Sequence, residues 1–150
     1  MALVDLVKPE IIKVPLESKS KQAVIRELLQ VLVDAGKLTD FDAAYDALLA
    51  REAKGSTGLE AGIAVPHAKT DTVSTLTLAI GIAPEGIDFR ALDGNPSSLF
   101  FLMLAPPNQS GPHIEALSEI ARITQSKTFC KMLLRAQSPE EVAELLTEED

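Results

Sequence analysis

The run Leu99–Leu104, LFFLML, is apolar at every position, and it constrains the fold more than any other stretch. A strand with one wet face alternates polar and apolar residues, so an unbroken apolar run reads as a strand covered on both faces. It belongs in the middle of a sheet. Other short apolar strands alternate with helical patterns along the chain, which sets the class as α/β. We expect a central mixed sheet of about five strands flanked by helices on both faces. Adjacent short strands imply hairpins, so the sheet is not purely parallel. At 150 residues the chain suits one well-cored domain, residues 1–150, and is too short for two ordinary ones.

Taken in order, Leu3 to Val7 is a short apolar start. Ile11, Ile12, Val14 and Leu16, around Lys13 and Pro15, predict a strand that proline confines to an edge. Ser18 or Ser20 then caps a helix through Ala35, with Val24, Ile25, Leu28, Leu29, Val31 and Leu32 as its stripe and Gly36 as its stop. Asp40 opens a second helix that keeps its period to about Arg51. Leu76 to Ile82 reads as a strand ended by Pro84, Glu85 and Gly86, and Ile87 to Phe89 adds a brief one before the turn at Asp93–Pro96. After Leu104 a polar loop leads to a helix that Ser110 caps, with Pro112 in its first turn and Ile114, Leu117, Ile120, Ala121 and Ile123 as its stripe. A further helix carries Phe129, Cys130, Leu133 and Leu134, and the last opens at Ser138 with capping-box spacing to Glu141.

The segment that carries chemistry is Arg51 to Thr70, REAKGSTGLEAGIAVPHAKT. Gly55, Gly58 and Gly62 free the backbone to approach another group and expose main-chain donors, so the loop can hold an anion. Ile63, Ala64 and Val65 form a short strand that Pro66 stops, and His67 follows the stop. Imidazole keeps a large neutral, nucleophilic fraction at neutral pH, so it can accept and release a group covalently. Arg51 supplies a fork of donors suited to phosphate oxygens, and Ser56 and Thr57 add hydroxyls. In its helix's last turn Arg51 is equally explained by the helix dipole. His113, the other histidine of the chain, lies at a helix start, where the dipole favours an anion and opposes its own protonation. Both histidines follow apolar strands and could share one sheet edge.

Other functions fit poorly. A net charge of −8 at pH 7 argues against nucleic acid, whose binding rests on Lys and Arg, and suits a basic partner surface. The lone Cys130 permits no internal disulfide and no cysteine metal cluster, which fits a reducing cytoplasm. The N-terminus lacks a leader pattern, and no apolar run approaches the roughly 18 residues of a membrane span. No G-x-S-x-G, P-loop or H-E-x-x-H motif is present. Asp71 could orient His67 in a triad, but no serine stands in a nucleophile context.

The block T-G-x-x-x-G-I-A-V-P-H, Thr57 to His67, preceded by Arg51-Glu52, resembles the active-site signature of the enzyme IIA domains of the phosphoenolpyruvate-dependent phosphotransferase system, of the fructose/mannitol and nitrogen-regulatory type. G-I-D-F (Gly86 to Phe89), Ala91, Asp93, Gly94, the FFLML run with Pro106, and H-I-E-A-L-S-E-I-A (His113 to Ala121) extend the likeness over nearly the whole chain. One departure is Ser98, where the family is usually apolar. The resemblance implies a free-standing phosphocarrier in which His67 takes a phosphoryl group from phospho-HPr or a paralogue and hands it to a cysteine of an enzyme IIB partner. It implies that His113 and Arg51 line the site. Arg51, Thr57 and His113, with Ser56 and Gly58, would then be the donors around the phosphoryl, with no metal and no cofactor. Sugar uptake and a nitrogen-regulatory role would use the same site; a binding module without phosphotransfer is the alternative.

Overall fold

The computed structural model describes residues 3–148. Two 3-10 turns, Leu3–Leu6 and Pro9–Ile11, lead into strand β1, Ile12–Lys13. Helices α1 (Lys21–Asp34) and α2 (Phe41–Glu52) follow, then strands β2 (Ile63–Ala64) and β3 (His67–Lys69) and the long hairpin of β4 (Thr77–Ile87) with β5 (Ser97–Ala105). A further 3-10 turn, Pro107–Gln109, precedes α3 (Ser110–Ile123), α4 (Lys127–Arg135) and α5 (Pro139–Glu148). The result is an open mixed sheet of five strands with five helices, the α/β architecture that the sequence predicts.

Strand β5 is its centre. Only Ser98 in it is less than fully buried, so side chains alternating to the two faces both meet cover. Strand β4 pairs antiparallel along one edge, with Leu78 opposite Met103 and Ile82 opposite Leu99. Along the other edge β2 and β3 pair parallel, Ile63 with Leu99 and His67 with Met103. Strand β1 lies parallel beyond β4. Four of the helices, α1, α2, α4 and α5, start where a side chain takes up a free amide. Ser20 Oγ accepts from the Ala23 N–H, Asp40 Oδ1 from Ala43, Ser126 Oγ from Phe129 and Ser138 Oγ from Glu141.

Four elements differ from expectation. Strand β2 stops before Pro66 as expected, but the edge does not: the spacing between partners is the same before and after the proline, so β3 resumes the pairing in register. Proline lacks a donor, yet its carbonyl still accepts from the Met103 N–H at 2.9 Å, which is why an edge tolerates it. Strand β4 likewise continues through Pro84–Gly86 as a bulge, with Gly86 at φ +79, before Ile87 rejoins opposite Ser97. The first strand shrinks to Ile12 and Lys13, although the Leu16 N–H still reaches the Ile82 carbonyl at 2.8 Å.

The fourth difference bears on the site. Gln109, not Ser110, precedes α3, and it offers no side-chain cap because its Oε1 accepts from the Leu76 N–H at 2.8 Å. The inward face of α3 is His113, Ala116, Ile120 and Ile123, while Ile114 is 64% exposed and Ala121 faces solvent. A histidine has taken the first place in the core stripe. Phe100 is completely buried against Phe89 with ring centroids 5.3 Å apart. Phe100→Ala should therefore cost about 3–5 kcal/mol, read as a lowered urea midpoint with an unchanged slope.

Candidate active site

The backbone sets His67 before its chemistry begins. As the first residue of β3, immediately after Pro66, it is fixed to β5 and only half buried. Its Nδ1 lies 2.7 Å from the Val65 carbonyl oxygen. A carbonyl can only accept, so Nδ1 carries the proton and Nε2 keeps its lone pair. A main-chain oxygen, rather than Asp71, orients the ring.

His113 comes to the same place from α3. The two rings meet edge to face with centroids 5.3 Å apart. His113 is 4% exposed, and its buried Nε2 has no hydrogen-bond partner in the protein. An orphaned polar atom of this kind is costly unless something else satisfies it. Burial pushes the pKa of His113 down, and the neighbouring Lys69 charge, with any proton His67 gains, pushes the same way. A ring held neutral can donate to an anion through one nitrogen without carrying a charge of its own.

Both histidines line a cleft of about 520 Å³ together with Arg51, Lys54 and Lys69, and no carboxylate lines it. Three cations around two imidazoles favour an anion. Arg51 stands in the last turn of α2 and donates from Nη1 to the Gly55 carbonyl at 2.8 Å, so its guanidinium closes the helix end as well as lining the cleft. Its helix-end position and its place in the cleft wall are both seen. An apolar groove adjoins at Leu117, with Leu59, Ile63, Val65 and Leu92 among its walls.

The hydroxyl and glycine donors expected around the site are occupied elsewhere. Ser56 Oγ donates to the Phe89 carbonyl at 2.9 Å and accepts from the Gly58 N–H at 3.0 Å. Thr57 is 2% exposed and gives both its N–H and its hydroxyl to the Glu52 carboxylate. Gly58 is needed for space, since a Cβ there would lie 2.9 Å from Ala91 Cα. Ser56, Thr57 and Gly58 therefore shape the loop and do not line the cleft with Arg51, His67 and His113. Sequence reasoning passed over Glu52, Lys21, Lys54 and Lys69. A signal was available for two of them: an acid in the last turn of α2 and a lysine in the first turn of α1 both oppose the helix dipole, so each needs another reason.

Residues 5–149 match the family model of the phosphoenolpyruvate-dependent sugar phosphotransferase system, EIIA 2. The chain belongs to that family of EIIA-type phosphocarriers. It is 41% identical over 139 residues to the fructose-specific EIIA component of Haloferax volcanii, covering 93% of this chain and 90% of that one. It is 38% identical over its full 150 residues to the fructose-specific EIIABC component of Bacillus subtilis, of which it spans only 24%. The crystal structure of nitrogen regulatory protein IIA-Ntr from Neisseria meningitidis superposes with a TM-score of 0.88 at 33% identity, over 97% of this chain and 99% of that one. Among the described residues no helix is long and apolar enough to cross a membrane, and no group of three or more His, Cys, Asp or Glu could hold a metal.

The lowered pKa of His113 has a consequence for stability. Its ordinary value is near 6.5, so on acidification the unfolded chain takes up the proton first. Stability is full above that pH and falls as pH drops from 6.5 through the folded value. His113→Gln should flatten the profile on the acid side of pH 6.5 in urea titrations; parallel profiles would mean that His113 is not held neutral by the fold.

Proposed function

We propose that this protein carries phosphoryl groups on Nε2 of His67, accepting them from the phosphohistidine of HPr or a paralogue and passing them to an enzyme IIB cysteine. One observation carries the reading: the Val65 carbonyl holds the Nδ1 proton, leaving the Nε2 lone pair of a half-buried ring beside a basic cleft. In the first step the donor's P–N bond breaks as the Nε2–P bond forms, and the donor imidazole leaves. In the second a cysteine thiolate attacks phosphorus, the S–P bond forms and His67 is restored. The proton on Nδ1 stays with Val65 throughout.

Little covalent chemistry is left to the protein, so position and charge do the work. Arg51 donates to the phosphoryl oxygens, and His113 donates to them from its unpartnered nitrogen. Neither interaction needs a metal. Moderate donation suits a carrier, because a phosphoryl held too firmly would not move on. The apolar groove beside the cleft, with Leu92 71% exposed, is where both partners would dock in turn, through brief contacts that a small patch can sustain. The acidic net charge suits a basic carrier surface, and Cys130, the single cysteine, fits a cytoplasmic reaction. The same step would serve sugar uptake or nitrogen regulation.

The test is intact-mass analysis after incubation with phosphoenolpyruvate, enzyme I and either HPr or a nitrogen-branch carrier. We expect one acid-labile phosphoryl adduct that His67→Ala lacks; no adduct with either carrier would favour a binding module. Arg51→Ala should slow labelling on the order of a hundredfold while costing only about 1 kcal/mol of stability for the lost bond to Gly55. A large loss of stability with normal labelling would leave Arg51 a helix-end residue only.

A further inference from the structure

Behind the cleft lies a charged pair that the transfer step does not itself use. Glu52 closes α2, and its side chain is 6% exposed; Lys21 opens α1, and its side chain is 19% exposed. Nζ of Lys21 is 2.7 Å from Glu52 Oε1, 3.4 Å from Ser56 Oγ and 4.7 Å from the centroid of the Phe89 ring. Oε1 of Glu52 also accepts from the Thr57 N–H at 3.1 Å, and Oε2 accepts from the Thr57 hydroxyl. One carboxylate thus takes three donors in a nearly dry place. A charge buried there stays only because it is paired and bonded.

From Thr57 the connections run directly to the nucleophile. The Thr57 carbonyl accepts from the Val65 N–H at 2.9 Å, and the Val65 carbonyl holds His67 Nδ1 at 2.7 Å. Val65 is therefore gripped on one side by the loop that Glu52 pins, and on the other it fixes the tautomer of His67. The same carboxylate tethers the far end of the loop whose Gly55 carbonyl engages Arg51. Glu52 and Lys21 touch neither His67 nor the cleft, so their effect on chemistry passes through Thr57 and Val65.

We propose that the Glu52–Lys21 pair is the positioning device of the active site: it sets the Thr57–Val65 contact and thereby keeps the His67 proton on Nδ1 and the Nε2 lone pair in line for transfer. The proposal rests on the phosphocarrier reading of His67. Glu52→Gln keeps the shape and removes the charge. Because that variant can fail to fold, Lys21→Met/Glu52→Leu goes beside it, since an apolar pair of similar volume often replaces a buried ion pair without loss of stability.

For both variants we measure the rate and donor KM of phosphoryl uptake, and the ring 15N signals of His67 in the unphosphorylated protein. Expected is a fall in rate on the order of tenfold to a hundredfold at unchanged KM, together with His67 signals that move from one tautomer to a mixture. A folded variant with the normal rate would overturn the proposal. So would a slow variant whose His67 signals stay those of the Nδ1–H tautomer, because the pair would then act by another route. If the wild type itself takes no phosphoryl, the transfer reading fails, and the 15N signals alone decide whether the pair sets the tautomer.

Discussion

Strand β5 must be paired along both edges and covered on both faces, and most of the molecule follows from meeting that demand. Its unbroken apolar run leaves no side for water. On one edge β4 doubles back antiparallel, and on the other the chain arrives in parallel register as β2 and β3. The second edge is where function enters. Because His67 is locked opposite Met103, the position of its ring is inherited from the sheet rather than from a flexible loop.

A second constraint acts through the hydrogen-bond inventory of imidazole. A ring with its Nδ1 proton committed to a carbonyl has one nucleophilic nitrogen and no choice of which to use. Burial of His113 supplies the complement, a neutral ring with an unsatisfied Nε2 beside it. Arg51, Lys54 and Lys69 then give the cleft its sign. That basic local patch sits within a chain of net charge −8, so the field at the site differs from the field of the whole protein.

Much of this was legible in the sequence, for reasons that differ by element. The LFFLML run identified the central strand because full burial leaves a composition that nothing else explains, and Ser20, Asp40 and Ser138 marked helix starts because capping is local chemistry. Arg51, His67 and His113 stood out because their residue types are scarce and chemically loaded, and the fold does bring them together. Contacts between distant parts of the chain were not legible. Nothing in the order of residues tells that Ser56 turns to Phe89, or that Thr57 gives both its donors to Glu52. The register across Pro66 was hidden too, since proline usually stops a strand and here only interrupts an edge. The face of α3 was misjudged because histidine was not counted among core residues; with His113 inward, Ile114 is left outside.

On the phosphocarrier reading proposed for His67, one backbone carbonyl decides which ring nitrogen takes the phosphoryl group. The most direct test is a long-range 1H–15N spectrum of the protein phosphorylated through its carrier, with the ring nitrogens of His67 assigned. The expected result is phosphorus bound to Nε2 and a proton retained on Nδ1. Phosphorus on Nδ1 would contradict this, since that atom could then not be donating to Val65, and the Nδ1–Val65 contact would not belong to the reacting state.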